Sequence, residues 1–224
     1  MDMSPILISM KTATLSIFIT FFLGIGLAQL VVSLKRQTSK ILLDGLFTLP
    51  LVLPPTVAGF FLLYIFGVKR PIGKFLLEYF GIKIAFSWTA TVLAAVVISL
   101  PLMYRSARGA FEQVDPTILE AARTLGMSEW KIFWKLKIPL SLPGLVSGGV
   151  LAFARGLGEF GATAMIAGNM IGKTRTLPLA IYSEVAAGNM ERAYGYVAII
   201  VVLSFLVVAL MNLSSLIGKR KGGN

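Results

Sequence analysis

The sequence contains no cysteine and no histidine in 224 residues, and only 10 residues are acidic. The lack of cysteine excludes disulfide frameworks, thiolate nucleophiles and thiolate zinc sites. The lack of histidine excludes imidazole bases, serine–histidine triads and histidine-ligated metals. The few carboxylates do not cluster along the chain. A membrane enzyme is therefore the least favoured class, and we expect no metal and no cofactor bound by this chain.

Charged residues are also scarce, at 14% of the chain, whereas 56% of residues are hydrophobic and the mean hydropathy is +0.83. An ordinary soluble domain has about 25% charged residues, so this composition predicts a membrane protein. The 21 Lys and Arg residues give a net charge of +11. In a soluble protein this excess would favour nucleic acid, but in a membrane protein it first indicates topology. We expect a lipid bilayer and no nucleic acid as a partner.

Long apolar stretches predict an all-α integral membrane protein with about five transmembrane helices. About 20 apolar residues in a helix cross the hydrocarbon core of a bilayer. The first stretch is longer than the apolar region of a signal peptide, so we interpret it as an uncleaved span. The predicted spans are residues 12–34, 41–66, 84–103, 142–167 and 194–217.

The second predicted span contains Pro50, Pro54 and Pro55, with Thr56 directly after them. Proline lacks a backbone donor and kinks a helix. In lipid, the carbonyl groups that this leaves unpaired must be satisfied by neighbouring helices or by a polar lumen. We therefore expect this helix to be broken and buried.

Basic residues are unequally divided between the two sides of the predicted spans. Lys and Arg concentrate on the cytoplasmic side of a membrane protein. The gaps after spans one, three and five contain twelve of them, and the remaining gaps contain eight, so we expect the N-terminus outside and the C-terminus in the cytoplasm. The twelve are Lys35, Arg36, Lys40, Arg105, Arg108, Arg123, Lys131, Lys135, Lys137, Lys219, Arg220 and Lys221.

The gap between spans three and four, residues 104–141, is predicted to be a structured cytoplasmic loop. Its local signals are, in chain order, Asp115 before Pro116, then Gly126, and then Ser128 before the amphipathic residues 129–137. Aspartate before proline is typical of a helix start, glycine of a helix stop, and serine of an N-cap. These signals predict two short helices around a glycine turn, with the chain returning to the membrane at Pro139. By composition alone, an interfacial amphipathic segment is the alternative.

The spacing within this loop resembles the EAA loop of ABC importer permeases. The matching residues are Glu120, Ala121, Ala122, Gly126 and, after Leu136-Lys137-Ile138, Pro139. The usual ending in that family is Ile-x-Leu-Pro, so this chain exchanges one aliphatic residue for another at two positions. In the family this loop is the coupling helix, which docks into a cleft of a separate ATP-hydrolysing subunit. The resemblance implies the type I ABC importer permease fold, with ATP bound by the partner and not by this chain.

Two further segments narrow the resemblance. Residues 49–59 look like the proline-rich span of molybdate permeases, and residues 154–162, 167–169 and 174–182 look like the matching stretches of molybdate and sulfate permeases. The resemblance covers nearly the whole chain. It implies one multi-pass permease domain, residues 1–224, in the cell membrane. Its expected partners are a second copy of the chain, a pair of cytoplasmic ATPases and an extracytoplasmic molybdate-binding protein. Import of tungstate or of sulfate and thiosulfate remains the alternative.

Arg155 and Glu159 lie within the fourth predicted span. Ionisable residues at membrane depth are costly and usually functional, and their i,i+4 spacing allows them to neutralise each other. A structural ion pair and a role at the gate both stay open. We predict that Arg155 faces the pathway and helps a dianion to pass. Together with Pro54, Pro55 and Thr56, these two residues are the candidate translocation-pathway residues.

Three other features of the sequence have competing interpretations. Only Glu159 and Asp44 are candidate carboxylates for an ion-coupled secondary anion transporter, and we interpret Asp44 as a surface partner of Lys40. Gly156-x-Gly158-x-x-Gly161 fits a dinucleotide-binding pattern, but an apolar helical run precedes it where a strand is required. Close helix packing or a helix break explains these glycines better. Gly144-x-x-x-Gly148 is a candidate close-packing face.

Overall fold

The computed structural model describes the backbone of residues 2–221 and the side chains of residues 2–209. Most of these residues are helical, turns and short loops join the helices, and the described residues contain no strand. The helices are α1 (Ser4–Ser33), α2 (Gln37–Val52), α3 (Pro55–Phe66), α4 (Pro71–Phe80), α5 (Trp88–Glu112), α6 (Pro116–Thr124), α7 (Glu129–Ile132), the π-helix Phe133–Lys137, α8 (Ile138–Leu157), α9 (Gly161–Ala167), α10 (Leu177–Ala186) and α11 (Met190–Lys221).

Four of the described helical segments are long and apolar enough to cross a membrane, and α2 with α3 forms a fifth if the bent pair is one span. The four are Ser4–Ser33, Trp88–Glu112, Glu129–Leu157 and Met190–Ala209. This result confirms the all-α fold class with about five spans. The helices extend beyond the apolar cores, since α5 continues past Met103 to Glu112. The predicted span 142–167 is divided between two helices, α8 and α9. The side chains of Lys219, Arg220 and Lys221 lie outside the described residues.

The predicted break in the second span is confirmed, because α2 and α3 meet at an angle of 112°. Pro54 and Pro55 both lack an N–H group, so α2 ends before them, and Pro55 suits the first turn of α3. Pro50 lies inside α2 without ending it. The expectation that the whole span is buried was wrong for the single chain. No residue of α2 is buried, because this helix lies on the outside of α5.

α5 is the central helix and packs against α1 and α8 along most of its length. Small residues permit this close approach. A Cβ atom added at Gly144 would lie 2.7 Å from the Cβ of Ala110, and one added at Gly148 would overlap the Cβ of Ser106. The Gly144-x-x-x-Gly148 pattern is therefore confirmed as the close-packing face of α8 on α5.

Hydrogen bonds between distant residues define the two ends of the bundle. At one end, the Leu177 N–H donates to Ser9 Oγ at 2.7 Å, and the Tyr196 hydroxyl donates to the Asp2 carbonyl at 2.8 Å. At the other end, Lys137 Nζ donates to Gln29 Oε1 at 2.7 Å. The C-terminal end of α1 therefore lies beside the last part of the predicted coupling loop.

Candidate functional site

The first half of the predicted coupling loop is helix α6. Asp115 caps its start by accepting the Thr117 N–H at 2.9 Å. Hydrogen bonds from the Thr117 hydroxyl and N–H lower the pKa of Asp115. At the other end, the Gly126 N–H donates to Arg123 O at 2.9 Å and the Met127 N–H donates to Ala122 O at 3.0 Å. This is a Schellman cap, and it requires the positive φ of 79° found at Gly126. The predicted start and stop of this helix are confirmed.

A bidentate ion pair closes the turn between α6 and α7. Arg123 Nε and Nη2 donate to Glu129 Oε1 and Oε2 at 2.7 and 3.3 Å, and this bond raises the pKa of Arg123. Ser128 caps α7 as predicted, accepting the Lys131 N–H at 3.4 Å. Within the described residues Glu120 makes no ion pair. Its carboxylate is exposed and is left available to another molecule.

The sequence predicted a separate second helix that ends before Pro139. The structure corrects this prediction, because the helix does not end there. The helix runs without interruption from Glu129 to Leu157 through the π-helical turn Phe133–Lys137. The Ile138 N–H bonds to Phe133 O, five residues back. This wider turn accommodates Pro139, which has no N–H to donate and whose ring disfavours a regular α-helical turn before it.

The end of this turn is anchored in the bundle. The side chain of Lys137 is buried, donates to Gln29 Oε1, and lies 4.8 Å from the centre of the Phe111 ring. No break therefore separates residues 129–137 from α8, and Lys137 also joins them to α1.

The outer surface of the coupling loop is apolar at its centre. Leu125 is 83% exposed and Trp130 is 71% exposed. Ala121 is exposed as well, whereas Ala122 is buried within this chain. Exposed large apolar groups beside charged ones mark interaction sites. We name this area the docking surface, and it comprises Glu120, Ala121, Leu125, Gly126 and Trp130.

Two helix starts cross inside the bundle where α3 meets α9. A Cβ atom added at Gly59 would lie 2.7 Å from Ala162 Cα, and one added at Gly161 would lie 3.0 Å from Pro55 Cβ and 3.2 Å from Thr56 N. The backbones thus touch with no room for a side chain. Gly161 is therefore explained by close packing beside a helix break, which confirms the interpretation preferred over a nucleotide site.

Arg155 and Glu159 form an ion pair at this break, with Arg155 Nη1 2.8 Å from Glu159 Oε2. Glu159 is 2% exposed, and its other oxygen accepts the Ala162 N–H at 2.8 Å, so it also satisfies the first turn of α9. The side chain of Arg155 is 32% exposed. The structure brings Pro55, Thr56 and Gly161 together, and Glu159 lies two residues before that contact.

One polar cluster was not predicted from the sequence. Asp44 pairs with Arg108 at 2.5 Å and accepts the Tyr104 hydroxyl at 2.9 Å. The interpretation of Asp44 as a surface partner of Lys40 was therefore wrong. The partners lie on another helix, more than 50 residues further along the chain, so no local spacing could have identified them.

Apolar helices, a proline-broken span and an exposed helix–turn–helix joined directly to two spans define a multi-pass membrane transport protein. The family model described as "Binding-protein-dependent transport system inner membrane component" matches residues 13–221. The chain belongs to this family. It is accordingly a permease subunit and not an enzyme, and ATP hydrolysis belongs to a separate subunit.

Named relatives match over almost their whole length. The molybdenum transport system permease protein ModB of Escherichia coli strain K12 is 42% identical over 211 residues, which cover 94% of this chain and 92% of that protein. ModB of Haemophilus influenzae strain Rd is 39% identical over 224 residues, which cover 99% and 97%. The inward-facing MetNI methionine ABC transporter has a TM-score of 0.71 at 17% identity, covering 93% of this chain and 91% of that one. That likeness shows the fold, a type I ABC importer permease.

Proposed function

We propose that this chain is the membrane-spanning subunit of an ATP-driven molybdate importer in the cell membrane. The proposal is supported by relatives named as molybdenum permeases that cover 92% or more of both proteins compared. Two copies of the chain, as one permease domain each, form the pathway between them. Two cytoplasmic ATPases bind the docking surfaces, and an extracytoplasmic binding protein delivers the anion. Tungstate and sulfate are the competing substrates, because they are also tetrahedral dianions.

The main support for the coupling role is the exposed loop between two spanning helices, whose short helices α6 and α7 are both capped. Glu120, Ala121 and Gly126 lie on its surface, and the helix after it continues into the membrane through Pro139 without a break. Closure of the ATPase pair pulls on this surface and shifts the connected helices. Because the caps resist local unfolding, the force moves the spans and does not simply stretch the loop.

The orientation that we propose has the N-terminus outside and the C-terminus in the cytoplasm. The basic residues of two loops, residues 35–40 and 105–137, support it. Both loops lie at the end of the bundle where Lys137 contacts Gln29. An excess of Lys and Arg at one end is typical of the cytoplasmic side.

We propose that the anion passes beside the crossing of α3 and α9. Pro54, Pro55 and Thr56 form the start of α3, and Glu159 holds Arg155 at the opposite break. The exposed part of the Arg155 guanidinium lowers the barrier for a dianion without binding it tightly. A deep binding site would trap the ion, and the delivering protein performs the selection.

Transport by the reconstituted complex tests the proposed substrate and energy source. The chain is incorporated into liposomes with its ATPase inside and its binding protein outside, and uptake of labelled molybdate is followed. We expect uptake that requires ATP and that excess sulfate does not suppress. Preferential uptake of sulfate or tungstate would reassign the substrate. Uptake driven by a proton gradient without ATP would overturn the ATP-driven class.

The coupling role is tested by Gly126→Val, with Gly81→Val as its matched control. Both glycines end a helix with positive φ, 79° and 66°, and an added Cβ at either would meet no atom within 4 Å. Both changes therefore introduce a similar backbone strain of about 1–2 kcal/mol. We expect only the change at Gly126 to abolish ATP-dependent uptake while membrane insertion is retained. Equal uptake by the two variants would contradict the coupling role.

A further inference from the structure

Within the described residues, the side-chain hydrogen bonds and ion pairs that join helix α2 to another helix all belong to one polar cluster. Asp44, in the middle of α2, contacts Arg108 Nη1 and the Tyr104 hydroxyl, both on α5. Arg108 Nε also donates to Glu112 Oε1 at 2.8 Å. Tyr104 is completely buried and its ring packs edge-on against Phe47 of α2, with the ring centres 5.4 Å apart.

Apart from this cluster, partly buried apolar side chains hold α2 in place, chiefly Leu43 and Phe47, which pack against the core of the bundle. None of its residues is buried, and its main neighbour is α5. Apolar side chains give no hydrophobic driving force between helices in lipid, so packing and polar contacts determine their association. A charge-assisted hydrogen bond is also about twice as strong as a neutral one. The contacts of Asp44 are therefore the strongest directional interactions that hold α2 against α5.

The two helices joined by this cluster lead to the two candidate sites. α5 continues through Arg108 to Glu112, and α6 begins only a few residues later at Pro116. α2 continues from Asp44 to the 112° break before α3. The cluster thus connects the helix that enters the coupling loop with the first half of the proline-broken span.

We propose that Asp44, Tyr104 and Arg108 are positioning residues that transmit movement of the coupling loop to the broken span. When the docking surface moves, α5 carries α2 with it, because the partly exposed Asp44–Arg108 pair and the hydrogen bond from the buried Tyr104 hold the two helices together. The change in α2 alters the bend at Pro54 and hence the crossing of α3 and α9. This inference rests on the proposed function of ATP-driven import.

The test separates ATP hydrolysis from transport. Asp44→Asn removes the ion pair and keeps an acceptor for Tyr104, whereas Tyr104→Phe keeps the ion pair and the ring packing. Glu78→Gln is the matched control, because Lys74 and Glu78 form an exposed pair at 3.6 Å on α4. For each variant, ATP hydrolysis, co-purification with the ATPase and molybdate uptake are measured in the same proteoliposomes.

We expect Asp44→Asn to retain the ATPase and its hydrolysis rate while molybdate uptake per ATP hydrolysed falls about two- to thirty-fold, the range given by coupling energies of 0.5–2 kcal/mol. Tyr104→Phe should produce a smaller fall, and Glu78→Gln none. An unchanged ratio in both α2–α5 variants would overturn the inference. Loss of the ATPase together with uptake in both variants would also overturn it, since the cluster would then serve assembly. Absence of ATP-dependent uptake in the unmodified complex would instead reject the proposed function.

Discussion

The helices of the bundle are joined differently at two contacts, one between α1 and α5 and the other between α3 and α9. α1 and α5 are continuous helices whose backbone groups bond mostly within each helix, with Pro101 inside α5 as an exception, and side-chain hydroxyls connect them. Thr12 Oγ1 lies 2.9 Å from Thr91 Oγ1, and Thr20 Oγ1 lies 3.2 Å from Ser99 Oγ. α3 and α9 both begin inside the bundle, and their backbones touch directly at Gly59 and Gly161.

The difference shows where this chain can change shape at low cost. Continuous helices joined at intervals of two turns form a rigid pair, because few backbone groups between their ends need a partner outside their own helix, and Pro101 interrupts the bonding of α5 at only one position. At the crossing of α3 and α9 a helix start leaves N–H groups unpaired, and Glu159 must satisfy one of them. We therefore expect mutations in the broken contact to affect stability and transport more strongly than mutations in the unbroken one.

The largest effect is expected from Glu159→Ala. This change leaves the Ala162 N–H without its acceptor and Arg155 without its partner. Breaking a buried ion pair costs about 3–5 kcal/mol, and we expect a loss near the lower limit because Arg155 is partly exposed. Thermal unfolding of the purified protein in detergent measures the loss. Glu78→Ala, at an exposed pair, should cost about 0–1 kcal/mol, and equal losses would contradict the structural role of Glu159.

The next effect is expected from Gly59→Ala. The added methyl group would lie 2.7 Å from Ala162 Cα, and a backbone atom cannot move aside as a flexible side chain can. Overpacking of this kind costs about 1–3 kcal/mol, so the unfolding temperature should fall. Gly45→Ala on α2 is the control, because its methyl group would meet no atom within 4 Å. A matching decrease in that control would show that the close crossing is not the cause.

Arg155→Gln tests whether the broken contact lies beside the pathway. A charge-assisted hydrogen bond contributes about 1.5–3 kcal/mol, so we expect initial molybdate uptake at low substrate concentration to fall about ten-fold or more. Arg192→Gln, at an exposed position on α11, removes the same charge and should have little effect. If Arg155→Gln transports normally under these conditions, Arg155 serves only as the partner of Glu159.

The smallest effect is expected from Thr20→Val in the unbroken contact. This nearly isosteric change removes one interhelical hydrogen bond, and such bonds contribute about 0.6 kcal/mol on average in membrane proteins. Thr14→Val, on the exposed face of α1, is the control for the change in polarity. Thermal unfolding of both variants provides the comparison. A loss as large as that of Glu159→Ala would invalidate the contrast between the two contacts.

Some features of this protein follow from its sequence alone. The apolar stretches indicate the number of spans, the prolines at 54 and 55 locate the break, and Asp115 and Gly126 mark the ends of α6. These predictions succeed because the responsible forces act within a few residues. A capping carboxylate and a positive φ act on the residues next to them, and the adjacent Pro54 and Pro55 remove two N–H groups in a row, whereas the single Pro50 is tolerated inside α2.

Only the tertiary structure decided which distant groups meet. Asp44 bonds to α5, Glu159 serves both Arg155 and the start of α9, and Ala122 faces inward while Ala121 does not. The helix also continues through Pro139 by way of a π-helical turn, and Lys137 at the end of that turn bonds to the distant Gln29. These outcomes depend on how the helices cross, and local spacing carries no information about that. The long-range contacts therefore determine how the coupling loop and the broken span are connected.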